Sequence, residues 1–347
     1  MDKVSVIGMD MGDKTHKAVG LTEDGQIADR TEVPATPAGV SAYLERHPGA
    51  LLAIETGTHC RWVSQLGASL GHQTLVGNAR KLRVIWKSSR KNDWNDAEML
   101  ARVARADRKL FSPVRLRGDD DHALMRLVKA RDLLVRNRTG IVNELRGFCK
   151  ADGARLPKCS PEAFARMEYE VPESVRKVAK PMFAVLKELA RKIGVYDKMI
   201  AEGTRKLYKE ELELLEPIGG VGPVTTAAFL AAVGDPAAFA SARDAGPYFG
   251  LAPKQDQSGQ TDRQTRISKE GNAVVRRLLV IASNYIMGPF GKDCDLRRHG
   301  LKIAERGGKN ARRRAKVAVA RKLAVLMLAI LKNRTAYNPL NGAEVAA

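Results

Sequence analysis

The sequence predicts a mixed α/β domain at the N-terminus and a largely helical remainder. Three observations carry this. A strand-like run and two further strand-like segments flanking Glu23-Asp24-Gly25 open the chain, so the sheet starts antiparallel. Short apolar runs then alternate with amphipathic stretches up to about residue 110, the pattern of a sheet covered by helices. From residue 119 onward the apolar residues recur mainly at helical spacing. The 347 residues suit two or three domains. They are read as an α/β domain over 1–157, a helical, coiled-coil-like connector over 158–215 and a mainly α-helical C-terminal domain over 216–347.

The elements follow in order. Val4 to Asp10 is strand-like and ends on an acid; Lys17 to Leu21 and Gln26 to Val33 form the hairpin arms. Thr36-Pro37 opens a helix to about Glu45, with proline in its first turn. Leu51 to Ile54 is an apolar run suited to a buried parallel strand and leads straight into Glu55. A helix to about Leu70, a strand near Thr74 to Val76 and a helix from Asn95 to Ala106 complete the α/β pattern. Residues 119–150 read as one long helix, and Lys158 to Glu173, with Pro161 and Pro172, as an irregular connector. A second long helix is expected over 181–215 with Pro181 in its first turn. Ile218-Gly219-Gly220-Val221-Gly222-Pro223 precedes an apolar helix, Thr225 to Ala232. Such a turn resembles a helix-hairpin-helix clamp, which offers backbone N–H groups to a phosphate; tight helix packing explains the glycines equally well.

Charge narrows the function. Lys plus Arg number 59 against 39 Asp plus Glu, a net +20, so a polyanion is the expected partner. The densest cluster spans 302–322 and includes Arg312, Arg313 and Arg314. No apolar stretch is long enough for a membrane span, and Met1 to Gly8 lacks the pattern of a signal peptide. Cys60, Cys149, Cys159 and Cys294 form no C-x-x-C pair, so neither structural zinc nor disulfides are expected, and the chain reads as cytoplasmic.

Four acids stand where sites assemble. Asp10 and Glu55 end two strands, and Asp93 and Asp96 share one face at the start of a helix. Acids at helix starts also serve the helix dipole. Gathered together, four carboxylates require a cation, because two unit charges about 4 Å apart repel by roughly 4 kcal/mol at an effective dielectric near 20. Carboxylate oxygens suit magnesium or manganese, and two such ions serve phosphoryl transfer. His59 reads as a base or as a packing residue, and Trp62, Trp86 and Trp94 as base-stacking or core residues.

The motifs taken together resemble a known family. Gly8-Met9-Asp10-Met11-Gly12, Ile54-Glu55-Thr56-Gly57 and Asn92-Asp93-Trp94-Asn95-Asp96-Ala97 look like the three segments of the DEDD transposases. These are bridge-RNA-guided insertion-sequence recombinases related to the Piv-type DNA invertase, with an N-terminal domain similar to the RuvC resolvase, an RNase H-like fold. Gly250-Leu251-Ala252-Pro253, Ser258-Gly259 and Arg266 to Asn272 through Arg276-Arg277 resemble the family's C-terminal transposase domain. The likeness runs along nearly the whole chain. It departs at Asn92, where threonine is commoner; at Gly219, where proline often stands; and at Thr265, where glycine often stands.

The resemblance implies a magnesium-binding tetrad of Asp10, Glu55, Asp93 and Asp96, and Ser258 as a nucleophile that becomes linked to DNA. Without the family, Ser258-Gly259 is simply a turn. It also implies donor and target DNA duplexes as partners, a guide RNA, and a homodimer or homotetramer. Lys269, Arg276, Arg277, Arg312, Arg313 and Arg314 are the expected nucleic-acid contacts. Rival readings are a protein-only DNA invertase, a non-catalytic nucleic-acid-binding protein and a nuclease that uses water in place of serine.

Overall fold

The computed structural model describes residues 3–82, 92–167, 169–258, 261–308 and 310–341, without the side chains of 255–265. The chain divides into two compact units, 1–116 and 117–347. The division falls ahead of the first long helix, whereas the sequence reading placed the first boundary at 157.

In the first unit the central strand is β1 (Val6–Met11). It pairs antiparallel with β2 (Thr15–Leu21), which pairs antiparallel with β3 (Ile27–Pro34). On its other side it pairs parallel with β4 (Leu51–Glu55), followed by parallel β5 (Thr74–Gly77). Among the described residues the order is β3-β2-β1-β4-β5, a mixed sheet consistent with an RNase H-like fold. β4 is buried along Leu51 to Ile54, as a strand covered on both faces must be. β3 lies at the edge and carries Asp29, Arg30 and Glu32, charges that blunt an unpaired edge. Between strands lie α1 (Pro37–Leu44) and α2 (Cys60–Ser69), and after β5 come the single turn α3 (Ala79–Leu82) and α4 (Asp93–Ala106).

Side-chain parity sorts this unit into two cores. Ile7, Met9, Leu52 and Ile54 pack on the face that carries α1 and α2. Val6, Val19, Leu51 and Ala53 pack on the other, under Ala97, Leu100 and Ala101 of α4. α4 lies hard against β1 because Gly8 has no side chain: a Cβ there would sit 2.0 Å from the carbonyl oxygen of Ala97 and 2.5 Å from the nitrogen of Ala101.

The second unit is helical. α5 (Asp119–Ala151) and α7 (Glu173–Leu207) form a long antiparallel hairpin, joined through the short α6 (Pro161–Phe164). One end is closed by Val142, Leu145, Phe164, Val175 and Leu186. Arg131 pairs with Asp197 along the hairpin, and Tyr208 bonds Asp121 at its other end. The expected start at Pro181 is corrected: α7 begins eight residues earlier and carries Pro181 inside it. Proline removes one N–H from the helix ladder, but Pro181 is exposed and the apolar face on either side continues to pack. The helix also stops at Leu207, and α8 (Lys209–Leu215) starts afresh.

The main core of this unit surrounds α9 (Pro223–Val233), in which every residue from Thr225 to Val233 is buried. Packed around it are α10 (Ala245–Tyr248), α11 (Ala273–Ile286), α12 (Asp295–Glu305) and α13 (Ala311–Asn333). The glycine-rich turn before α9 has a packing reason. Gly220 holds φ at +84° and has the Tyr285 ring and the Ala282 carbonyl where a Cβ would stand. Two strands that the sequence reading did not single out, β6 (Pro253–Ser258) and β7 (Thr261–Ile267), pair antiparallel as a ribbon. Its residues from Lys254 to Arg266 include no apolar side chain, so no alternating apolar pattern announces it. Among the described residues no helix is long and apolar enough to cross a membrane.

Candidate active site and nucleic-acid interface

Sheet parity and the position of α4 put the four acids on the same side of the sheet. Asp10 follows Val6 and Gly8 on the α4 face of β1, and Glu55 follows Leu51 and Ala53 on the α4 face of β4. β1 and β4 run parallel with Met9 opposite Ile54, so Asp10 and Glu55 stand side by side one step further on. Asp93 and Asp96 lie in the first turn of α4, on the helix that Gly8 admits to this face. Asn92 caps that helix: its side chain accepts from the Trp94 N–H at 3.1 Å, and its carbonyl accepts from the Asp96 N–H at 3.0 Å. Asparagine caps at least as well as threonine, so the departure at 92 keeps the local geometry.

Further contacts hold α4 to the hairpin of β2 and β3. Glu98 pairs with Arg30 at 2.8 Å, Arg102 donates to the carbonyl of Gly25, and Arg105 to that of Glu23. Lys17, on the α4 face of β2, sits 5.1 Å from the centre of the Trp94 ring and also pairs with Glu32. Trp94 is thus partly buried and occupied with packing. Trp86 lies outside the described residues.

The electrostatics register the crowding. Burial first, then the charges of Asp93, Glu55 and Asp96, push the Asp10 carboxyl up to about 6, against the pull of a hydrogen bond from the Met11 backbone. Among the described residues no three His, Cys, Asp or Glu side chains are close enough to clasp an ion. The two findings are compatible. Coulomb repulsion reaches across a site whose members still stand apart, and like charges without a counter-ion are expected to do so. The donor set is oxygen only and over-supplied with negative charge, which fits a hard divalent cation and not a soft one.

His59 belongs to another cluster. Its ring lies 5.4 Å from that of His16 and 5.9 Å from that of Trp62, and Trp62 donates to its Nδ1 at 3.0 Å. His16 is fully buried and alternates with Ala18 on the α1/α2 face, opposite the acids. Burial and the neighbouring His59 hold His16 below its ordinary value. Packing accounts for this group, and sequence reading alone did not reveal His16 as its centre.

In the second unit Ser258 is the last residue of β6, and its side chain lies outside the described ones. The segments flanking the ribbon meet at its base. Gly250 and Gly271 hold φ at +64° and +69°. Cβ atoms there would strike the backbone of Glu270 and the carbonyl of Tyr248, at 2.3 and 2.0 Å. Lys269 shares this turn with φ of +56°, and Asn272 caps α11. Arg276 donates to the carbonyls of Phe249 and Glu270, at 3.0 and 2.7 Å, and Arg277 pairs with Asp132. Both thus brace the fold. Arg312, Arg313 and Arg314 are exposed in the first turn of α13.

Crowded carboxylates in a strongly basic chain define a class of protein that cuts polynucleotides, and comparison with known proteins narrows the class. A DEDD-type IS110 transposase model matches residues 7–151, from β1 through α5, and a model of the IS116/IS110/IS902 transposase family matches residues 212–290. The chain belongs to this IS110/IS116 family of DEDD transposases, which cleave and rejoin DNA and use a divalent metal. It is 26% identical to the transposase for insertion sequence element IS1111A of Coxiella burnetii, over 97% of this chain and 92% of that protein. It is also 26% identical to a probable family 20 transposase of Pseudomonas aeruginosa, over 97% and 99%. A pilin gene-inverting protein of Moraxella bovis is 27% identical over 126 residues, 36% of this chain and 38% of that protein.

Proposed function

We propose that this transposase cuts and rejoins DNA with Asp10, Glu55, Asp93 and Asp96 holding magnesium, Ser258 as the nucleophile and a structured RNA choosing the DNA partners. The observation that carries the reading is Asp10, whose carboxyl group stands raised to about 6 in the field of the other three acids. Such a group requires a positive charge beside it when ionised. A divalent ion held there supplies stabilisation of the charge that builds on a phosphate during transfer.

The chain's own residues set the geometry. Gly8 and the Asn92 cap fix α4, and with it Asp93 and Asp96, against the strand ends that carry Asp10 and Glu55. The Ser258 hydroxyl oxygen forms a bond to phosphorus as the bond from phosphorus to the leaving strand oxygen breaks. The hydroxyl proton ends on that oxygen, which becomes a free hydroxyl terminus. The serine–phosphate ester conserves the broken bond's energy, so rejoining runs the same exchange in reverse without ATP. Lys269, Arg313 and Arg314 neutralise phosphates, and the turn 219–222 adds backbone N–H groups. In this reading 158–215 acts as a connector, and exchange between two duplexes calls for at least a homodimer.

The test is denaturing gel electrophoresis of end-labelled DNA after reaction. A protein-linked band is expected from the wild type and none from Ser258→Ala. A band that persists in Ser258→Ala moves the nucleophile elsewhere, and cleavage by the wild type with a free 5′ phosphate and no band favours water. The likeness to the pilin gene-inverting protein supports a second reading, a protein-only invertase. Sequencing of copurified nucleic acid separates the two: the first expects one structured RNA species, the second none.

A further inference from the structure

The basic residues of α13 are not equivalent. A cleft of about 1410 Å³ runs along one side of the second unit, between the base of the β6–β7 ribbon and the helices α12 and α13. α13 contributes one helical face: Arg313, Arg314, Arg321 and Lys322, with Val317 between them. α12 contributes His299 and Ile303, and Arg306 follows at its C-terminal cap, at i, i+4 and i+7. The facing wall adds Arg243, Arg266 and Lys269. Arg312, Lys316 and Lys302 belong to the same two helices and do not line the cleft.

The lining chemistry is one-sided. No Asp, Glu, Phe, Tyr or Trp lines the cleft among the described residues, and none of its cations is paired with a carboxylate there. Burial first, then the charges of Lys322 and Arg306, hold His299 below its ordinary value. The floor is apolar, formed by Leu251, Ile267, Ile303 and Val317. Unpaired cations along an apolar floor match a row of phosphates. Without Phe, Tyr or Trp among these residues the cleft lacks the broad stacking platforms that a single strand needs, so the occupant is recognised by its backbone.

We propose that this cleft grips the phosphate backbone of duplex DNA beside the β6–β7 ribbon, through the inward faces of α12 and α13. The proposal rests on the reading of the chain as a DNA recombinase. It assigns the grip to Arg306, Arg313, Arg314, Arg321 and Lys322 and leaves Arg312 outside it.

The experiment compares two full-length variants with the same change in charge. One carries Arg313→Gln, Arg314→Gln and Arg321→Gln; the other carries Lys302→Gln, Arg312→Gln and Lys316→Gln. Binding of fluorescein-labelled duplex DNA is followed by anisotropy across a salt series in EDTA, where cleavage plays no part. A second arm uses an RNA hairpin with the same number of phosphates. Each phosphate that the protein no longer neutralises lowers the log–log salt slope by about 0.9, so the cleft variant should lose about 2.7 and the control variant close to nothing. Circular dichroism checks folding; should the triple variant unfold, Arg313→Gln with Arg314→Gln should still lose about 1.8. Equal losses in the two triple variants overturn the proposal, since charge anywhere on the helices would then suffice. A loss confined to RNA with an unchanged DNA slope overturns it as well. Because nothing here reads cleavage, failure of the tetrad or of Ser258 leaves the outcome distinct.

Discussion

At Asp10 burial and three neighbouring acids hold the carboxyl group at about 6, above the usual 3.8. Between those values the folded chain keeps a proton that the unfolded chain has released. Without metal, stability therefore falls as pH rises from 3.8 through 6 and stays lower above that window. A shift of two units corresponds to roughly 3 kcal/mol, and partial exposure reduces the expected size to about 1–2 kcal/mol. Asp10→Asn should accordingly be more stable than the wild type in urea melts at pH 7 in EDTA, with the gap closing near pH 4. Magnesium should stabilise the wild type and not the variant, and the variant should not cleave DNA. An Asp10→Asn chain that melts earlier than the wild type in EDTA at pH 7 contradicts the repulsion assigned here. His16 works in the opposite direction. Its value is depressed, so its contribution is lost as pH falls below 6.5, and the difference between wild type and Asp10→Asn isolates the carboxyl.

At the scale of the element, α4 is the part that makes or breaks the site. Its closeness to β1 depends on Gly8, where the obstructing atoms are backbone and cannot rotate away. Gly8→Ala should cost about 1–3 kcal/mol and should reduce strand cleavage while α4 stays displaced. Gly147 is the control. It is exposed in the interior of α5 with nothing within 4 Å of a built Cβ, so Gly147→Ala should stabilise by about 0.5–1 kcal/mol and leave cleavage unchanged. α7 offers a second element-scale test. Pro181→Ala restores a missing helix donor at an exposed position and should raise the melting temperature, as read by circular dichroism.

Across the whole molecule, charge and acidity are divided. Residues 117–347 hold 42 of the 59 basic side chains and 26 of the 39 acidic ones, so about 16 of the net +20 lies in the second unit. The first unit is nearly balanced and contains the four clustered acids. Expressed separately, 117–347 should bind duplex DNA with most of the intact chain's salt dependence. Residues 1–116 should bind weakly and gain melting temperature with magnesium. Filter binding and thermal melts of the two pieces check this. Strong, salt-steep binding by 1–116 alone would contradict the division.

Much of this protein is written in local pattern. The apolar run before Glu55, the acid after Val6 to Met9, the cap at Asn92 and the periodicity of 119–150 are set by neighbours along the chain, and the structure carries each of them. The four acids proposed as the tetrad stand at local features of the same kind, strand ends and a helix start. What only packing decided are matters of facing. That Asp10 and Glu55 share α4's side of the sheet follows from strand parity and the parallel register of β1 with β4. That Arg276 and Arg277 turn inward, while Arg313 and Arg314 line a cleft that Arg312 misses, follows from which helices meet. Pro181 inside α7 and the ribbon that ends at Ser258 escaped the sequence because neither carries its usual signature. A proline normally marks a helix end, and the run from Lys254 to Arg266 is polar throughout, so it shows no apolar alternation. Periodicity fixes the kind of element, whereas the partner of each face is chosen by residues far apart in the chain, as Gly8 and Ala97 are.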